Sequence, residues 1–218
     1  MGKPKIEPAA FRAALEAASR VLTAAGVKWW IQDGTLLGAV RNGGPIPGDT
    51  DIDLGIPAAA FRLSFLDDLR HAGFDIVKTR NIGEAGGPFV RMKFGGVPID
   101  VFGMVERADQ WHYTCAFRGI EIEVNFSPFA IGRATFLGLD VPTPEPAEAF
   151  LVSEYGEDWR TPIADWHYAF SPPNLRLVGG RFTHVLYRLR YLEWRAKVIL
   201  RRLRRPPANR AASESGLA

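Results

Sequence analysis

The sequence predicts an α+β fold, in which a mixed β-sheet is flanked by helices and followed by a basic amphipathic helix. Three observations indicate this fold. The first third alternates runs at helical spacing with short strand-like runs. The middle holds apolar runs joined by short glycine-containing links, which favours antiparallel pairing over helical crossovers. The last part combines helical periodicity with an excess of arginine.

Three helices are predicted in the first part. Residues 8–25 form an alanine-rich helix that stops at Gly26. The strand VKWWI then leads into the short helix TLLGAVR, and after the strand DIDLGI a further helix covers residues 57–72. The inward-facing residues are Phe11, Leu15, Ala18 and Leu22 in the first helix and Phe61, Phe65, Leu66 and Leu69 in the last.

The middle of the chain is predicted to supply most of the sheet. Thr143 is expected to cap a helix that reaches Tyr155 and ends at Gly156. The predicted strands are FDIVK, PFVRMKF, VPIDVFGMV, WHYTCAF and GIEIEVN.

Charge divides the chain into parts. Residues 181–210 hold ten Lys or Arg against one acid, whereas residues 1–180 hold seventeen basic and twenty-two acidic residues. We therefore predict a catalytic domain over 1–180, a basic amphipathic helix over 181–205, and a disordered tail over 206–218. An anionic membrane surface is the favoured partner of this helix, at about 1 kcal/mol per basic residue. Docking onto its own acidic domain and RNA binding are the alternatives, with nucleic acid the least favoured.

Acidic residues alternate with aliphatic residues in DIDLGI. Asp51 and Asp53 would share one face of a strand, from which their side chains can converge on a divalent ion. Their mutual repulsion requires a cation, and carboxylate oxygens suit Mg²⁺ or Mn²⁺. The alternative is a solvated strand end. Asp49 is a candidate for an additional ligand or a substrate contact.

The residues ahead of these acids suit phosphate binding. Gly34 and Thr35 open a short helix whose free N–H groups and hydroxyl can cradle a phosphate. Arg41 can neutralise a second phosphate, or can instead be a surface arginine in one ion pair. Glycines and prolines over 43–48 form a turn that returns the chain to the Gly-Thr end.

Asp100 is the candidate third carboxylate. It interrupts an apolar run in GGVPIDVFGMV, where an unpaired charge would cost several kcal/mol. A shared metal would remove that cost, and so would a salt bridge to Lys93 or Arg91.

These motifs resemble the LicD family of phosphocholine and fukutin-type phospho-alcohol transferases, within the nucleotidyltransferase fold superfamily. The resemblance is carried by DGTLLGAVR and DTDIDLG, and less specifically by YGEDWRTP with Trp159, and it spans residues 29 to about 162. It implies a nucleotidyltransferase-like sheet with Asp51, Asp53 and Asp100 as catalytic and metal-binding residues. Gly34, Thr35, Arg41, Asp49 and Trp159 would bind substrate.

Two positions depart from the family pattern. Gly48 stands where members usually have tryptophan, and Thr50 where many have aspartate, which leaves the choice of donor open. Cys115 and four scattered histidines cannot build the zinc site of some relatives. Trp159 and its aromatic neighbours can stack on a base or sugar, or can pack a loop onto the core.

The resemblance implies Mg²⁺-dependent transfer of a phospho-alcohol from a CDP-linked donor to a hydroxyl of a glycan or lipid-linked acceptor. Two rivals are transfer of NMP from an NTP to a small molecule or RNA, and non-catalytic glycan or lipid binding. With 47% hydrophobic residues, one cysteine, and neither a signal peptide nor a long apolar run, the sequence predicts a cytoplasmic protein. Peripheral attachment at the inner face of the membrane is the further expectation.

Overall fold

A mixed β-sheet forms the centre of the computed structural model, which describes residues 6–82, 87–107 and 109–204. Its main path runs in the order β1 (Trp30–Ile31), β2 (Ile52–Pro57), β5 (Val97–Arg107), β6 (Gln110–Phe117), β7 (Ile120–Phe126) and β10 (Leu175–Val178). Two further strands, β3 (Asp75–Arg80) and β4 (Phe89–Phe94), join it where β4 pairs with β5. Strands β2 and β5 run parallel, and the other paired strands among the described residues are antiparallel. The predicted mixed sheet is confirmed.

Helices cover the sheet and close the core. They are α1 (Pro8–Ala24), α2 (Asp33–Asn42), α3 (Leu63–His71), α4 (Ala147–Tyr155) and α5 (Arg181–Leu203). The inward-facing residues predicted for α1 and for the helix over 57–72 are all buried, including Phe61, which precedes α3. Ile52, Leu54 and Ile56 of β2 are fully buried, whereas Asp51 and Asp53, which alternate with them, are partly exposed, as expected for opposite faces of a strand.

Two predicted elements begin later in the chain than expected. The strand predicted over VKWWI consists of Trp30 and Ile31 only, because these two residues are the ones that pair with Gly55 and Leu54 of β2. The helix predicted over 57–72 begins at Leu63, because Pro57 still lies opposite Met104 in the sheet and a 3₁₀ turn follows it.

The predicted cap at Thr143 is also wrong. Thr143 lies buried in a strand, β9 (Leu139–Glu145), opposite Gly132 of β8 (Ala130–Phe136). The residue before a proline avoids helical geometry, and the prolines at 142, 144 and 146 keep this stretch extended. Helix α4 therefore begins only at Ala147.

The β8–β9 hairpin was not predicted. Its two-residue turn consists of Leu137 and Gly138, both with positive φ (53° and 71°), which is the left-handed pairing of a type I′ turn. The short apolar strand β10, which pairs with β7, was likewise not predicted.

Helix α5 follows β10 and confirms the predicted C-terminal helix up to Leu203. Arg205 and the tail predicted over 206–218 lie outside the described residues, as do residues 1–5. Among the helices of the described part, none combines the length and apolar character needed to cross a bilayer.

Candidate active site

Strands β2 and β5 bring three acids together. Their parallel register places Asp53 opposite Asp100, and Asp51 directly precedes β2. Each residue supplies one carboxylate oxygen to a cluster whose members lie within 4.8 Å of one another. Oxygen ligands at this spacing suit a hard divalent cation. The donor set therefore fits Mg²⁺ or Mn²⁺.

The start of α2 lies against the same acids. A Cβ atom at Gly34 would lie 3.2 Å from Asp53 Oδ2 and 3.4 Å from Asp49 Oδ2, so a side chain here would crowd both carboxylates. The Asp53 N–H donates to Thr35 Oγ1 at 2.8 Å. Thr35 is buried, and its hydroxyl oxygen holds strand β2 against the helix. The first turn of α2 is thereby fixed beside the carboxylates.

The glycine-rich turn brings Asp49 back to this point. Gly43 ends α2 in the left-handed conformation, with φ 66°. A Cβ atom at Gly38 would lie 2.7 Å from Gly44 O, so the returning loop packs directly on the helix. The N–H of Asp49 then donates to Ile46 O at 2.9 Å, and its carboxylate accepts the Thr50 N–H at 2.9 Å.

Arg91 is the counter-charge of the cluster. It lies opposite Asp100 on β4 and donates from Nε to Asp100 Oδ1 at 2.6 Å and from Nη2 to Asp100 Oδ2. Its Nη2 is also 3.7 Å from Asp51 Oδ2. The salt bridge considered for Asp100 is therefore present, with Arg91 and not Lys93 as its partner. One guanidinium thus pairs with two of the three acids, and its single positive charge leaves the cluster short of cationic charge.

Burial and repulsion raise the carboxyl pKa values of Asp53 and Asp100. Burial is the main cause for Asp53, whose pKa lies well above its usual range, and the charges of Asp33, Asp51, Asp49 and Asp100 raise it further. Burial also raises the pKa of Asp100, while Arg91 opposes the shift. The pKa of Arg91 is itself raised, mainly by its hydrogen bonds to Asp100. Ionising Asp53 and Asp100 together therefore requires additional positive charge.

A second carboxyl pair behind the cluster was missed. Asp33 and Glu154 are buried and their carboxyls interact, while one oxygen of each, Asp33 Oδ1 and Glu154 Oε2, has no hydrogen-bond partner among the described residues. The Tyr113 hydroxyl donates to Asp33 Oδ2 at 3.2 Å. Burial raises the pKa of Asp33 to about 6 and that of Glu154 well above its usual range. Asp33 also has φ 47°, which is unusual for a residue other than glycine. This pair couples α4 to the start of α2.

The sequence held one signal for this pair. Asp33 opens the DGTLLGAVR motif, but its neighbours do not show that its carboxyl turns inward. Glu154 lies on α4, far along the chain, so its proximity to Asp33 follows only from tertiary packing.

Asp33 makes the stability of the metal-free protein depend on pH. Its carboxyl stays protonated up to about pH 6 in the folded state, whereas in an unfolded chain it ionises near pH ~3.9. The folded state binds more protons in this interval, so stability falls as the pH rises through it.

Asp33→Asn is expected to reduce this pH dependence, because asparagine stays neutral and tolerates positive φ. Melting temperatures measured in a chelator between pH ~4 and ~7 should decline less in the variant, with the difference levelling off above pH ~6. Parallel curves for the two proteins would contradict this assignment of the pKa.

Arg41 and Trp159 meet at the far end of α2. Arg41 Nη1 donates to the Trp159 carbonyl at 3.4 Å, and Nε donates to Asn42 Oδ1 at 2.9 Å. The Trp159 ring is 2% exposed and packs in the main core, with the Arg160 guanidinium 4.2 Å from its centroid. The structure thus gives Trp159 a packing role, and Arg41 keeps its guanidinium partly exposed.

Comparison with known proteins identifies the family. The model described as LicD/FKTN/FKRP, nucleotidyltransferase domain, matches residues 26–146, which is more than half of the chain. The chain belongs to the LicD family. The matched range contains the Gly34 turn and all three clustered acids, so the resemblance drawn from the motifs is confirmed. The LicD match ends before Glu154, Trp159 and α5.

Comparison with individual proteins agrees with membership of the LicD family. Ribitol-5-phosphate transferase FKTN of Mus musculus is 29% identical over 170 residues, covering 76% of this chain and 36% of the relative. The Homo sapiens FKTN is 28% identical over 183 residues, covering 80% and 39%. The chain thus spans less than two fifths of the length of these relatives. The solution structure of the antibiotic-resistance factor ANT(2'')-Ia has 15% identity and a TM-score of 0.49, covering 91% of this chain and 100% of the other.

Proposed function

We propose that this LicD-family domain transfers a phospho-alcohol unit, such as phosphocholine, phosphoglycerol or ribitol phosphate, from a CDP-linked donor to a hydroxyl of a glycan or lipid-linked acceptor. One observation carries the proposal. Asp51, Asp53 and Asp100 converge beside the start of α2, which combines an anion-binding backbone with a cation-binding cluster. The FKTN relatives, which are named as ribitol-5-phosphate transferases, support the class of group transferred.

The three acids would hold Mg²⁺. The ion would polarise the phosphoryl oxygens of the donor and offset the charge that develops on the leaving CMP. Asp51 and Asp53 are the main ligands in this proposal, and Asp49, held beside Gly34, is an additional ligand or substrate contact. Asp100 either completes the ligand set or accepts a proton.

The proposed reaction is a displacement at phosphorus, and groups around the acids bind the donor phosphates. The acceptor hydroxyl oxygen forms a bond to the phosphorus of the phospho-alcohol, and the bond from that phosphorus to the CMP oxygen breaks. In the second of its two roles, Asp100 takes the hydroxyl proton. The N–H groups at the start of α2 face the donor phosphates. Arg91 lies at the cluster as a partly exposed guanidinium that can bind phosphate oxygens. Arg41, in the last turn of α2, is the second candidate for a phosphate contact.

The test is calorimetry of the protein with CTP, CDP-choline, CDP-glycerol and CDP-ribitol, each with and without Mg²⁺. Mg²⁺-dependent binding of one CDP-alcohol, followed by CMP release and a mass gain on the acceptor equal to the phospho-alcohol, is expected. Binding of CTP alone, with a nucleotide mass gained by the acceptor, would favour NMP transfer. Metal-independent binding without product would favour a non-catalytic protein.

Removal of Arg91 is expected to strengthen Mg²⁺ binding. The guanidinium pairs with Asp100 and lies near Asp51, so an incoming cation must compete with it. Arg91→Gln should raise the Mg²⁺ affinity roughly tenfold, equal to about 1.4 kcal/mol, while lowering the stability of the metal-free protein. Calorimetric titration would measure this change, with Arg70→Gln on the surface of α3 as the matched control. A lower affinity would show instead that Arg91 orients Asp100 for the metal.

A further inference from the structure

Helix α5 is held to the domain by one face. Val198 is its buried residue, and Leu186 and Tyr187 pack on a small cluster formed with Ile120 and Ile122 of β7. The Tyr187 hydroxyl donates to Ala169 O at 2.8 Å. Ion pairs from Arg201 and Arg202 to Asp165 attach its last turn. The docking onto the domain that the sequence offered as an alternative is therefore present, mainly through this face, with one further ion pair from Glu193 to Arg118.

The opposite face of α5 is apolar and exposed. At 3.6 residues per turn, its large apolar side chains fall within about 100° of the helix circumference, roughly half a turn from Tyr187, Trp194 and Val198. We call this face the outer stripe; its members are Phe182, Val185, Leu189, Leu192, Ile199, Leu200 and Leu203, each between 51% and 80% exposed. The outer stripe runs for about 30 Å along the helix. A continuous apolar surface of this kind marks an interaction site.

Arginines border the outer stripe. Arg181, Arg188 and Arg195 follow one edge of it at helical spacing. Within the described part of the chain, none of these three forms an ion pair, in contrast to Arg190 and Lys197, which contact Glu193. The helix thus presents an apolar surface with a row of cations whose counter-charges are not supplied by the domain.

The charges of α5 favour an anionic bilayer over a second copy of the chain as the surface that covers the outer stripe. Two copies joined through the outer stripe would bring arginine rows together, and Glu193, the one acid of α5, is already engaged by Arg118, Arg190 and Lys197. A bilayer containing anionic lipids offers hydrocarbon for the stripe and headgroup phosphates for the arginines.

We propose that the outer stripe of α5 is a membrane-docking surface, which lies in the interface of an anionic bilayer with its apolar side chains inserted and Arg181, Arg188 and Arg195 at the headgroup phosphates. The helix would lie parallel to the bilayer, with the domain held on its other face by Tyr187, Val198 and the Asp165 ion pairs. This inference is independent of the transfer reaction.

Vesicle co-sedimentation of the full chain tests the proposal. We expect binding to vesicles of phosphatidylcholine with phosphatidylglycerol, and much weaker binding to phosphatidylcholine alone. Leu189→Ser combined with Leu192→Ser should weaken binding to the anionic vesicles by a factor of about ten or more, because each loses inserted apolar area. Arg188→Gln combined with Arg195→Gln should weaken it roughly tenfold. Leu63→Ser, at an exposed leucine of α3, is the matched control and should leave it unchanged.

Three results would overturn the proposal. One is equal binding to neutral and anionic vesicles, and another is unchanged binding by the Leu189 and Leu192 variant. The third is a dimer in sedimentation velocity that this variant dissociates, without vesicle binding by the wild type, which would assign the stripe to a second copy. Because these side chains are exposed, the variants should keep the wild-type circular dichroism and melting temperature. Binding of CDP-alcohols should also remain, so failure here leaves the proposed reaction unaffected.

Discussion

Asp53→Asn is expected to reduce transfer activity by a factor on the order of 10³, equal to about 4 kcal/mol of transition-state stabilisation. Asparagine keeps the size of the side chain and one oxygen but removes the charge that holds the cation. Asp53 is also the acid closest to the start of α2, so its loss uncouples the metal from the phosphate-binding turn. Rates of CMP release and calorimetric titration with Mg²⁺ would measure the two effects.

The same variant is expected to be more stable than the wild type in the absence of metal. Burial and four neighbouring acids raise the pKa of Asp53, so its ionisation at neutral pH opposes folding. If the variant melts at a higher temperature than the wild type in a chelator and has lost activity, Asp53 is retained for function at the expense of stability. Addition of Mg²⁺ should raise the melting temperature of the wild type and not that of the variant.

Asp75→Asn is the control for this experiment. Asp75 is an exposed acid on β3, outside the cluster, and the same substitution there should leave activity, Mg²⁺ affinity and melting temperature near wild type. If Asp53→Asn keeps more than about a tenth of the activity, the cluster is not the catalytic centre.

Gly55→Ala is expected to destabilise the protein by about 3 kcal/mol. Gly55 lies on β2 opposite Trp30, and a Cβ atom at this position would overlap with the Trp30 indole and with Gln32 Oε1. Both neighbours are fully buried and joined by a hydrogen bond from Trp30 Nε1 to Gln32 Oε1 at 3.2 Å, so neither can move without cost. Denaturant unfolding would measure the loss.

Two further variants make this prediction specific. Gly44→Ala, at a glycine with open space around it, should change stability by less than about 1 kcal/mol. Gly55→Ala combined with Trp30→Leu should cost less than the sum of the single changes, because removal of the ring makes room for the methyl group. Additive losses would show that the ring is not the obstacle.

The sequence predicted the strands that carry the acidic cluster, because their pattern is local. Alternation of acid and aliphatic residues in DIDLGI, and one acid inside an apolar run at Asp100, reveal strand, face and charge without knowledge of the fold. The spacing of apolar residues in α1 and α3 likewise predicted which side of each helix is buried. These signals depend on neighbours within a few residues, which a sequence displays directly.

The parts that were not predicted depend on distant contacts or on backbone geometry. The sequence does not identify the ion-pair partner of Asp100, because Arg91 and Lys93 lie two residues apart on the same face of β4. Only the register between β4 and β5 places Arg91 opposite Asp100. Glu154 reaches Asp33 through packing of α4 on α2. Thr143 has the side chain of a helix cap, but prolines on both sides keep its backbone extended in β9. Gly138 alone could have indicated the β8–β9 turn.

The parallel register of β2 and β5 makes cation affinity a probe of folding. Asp53 and Asp100 become neighbours only when the long crossover through α3, β3 and β4 has closed, and a slip of one residue would turn one carboxylate to the opposite face of the sheet. A partly folded chain therefore lacks the complete ligand set. Stopped-flow refolding with a luminescent lanthanide in place of Mg²⁺ would time the closure of this crossover and separate it from the earlier formation of local helices.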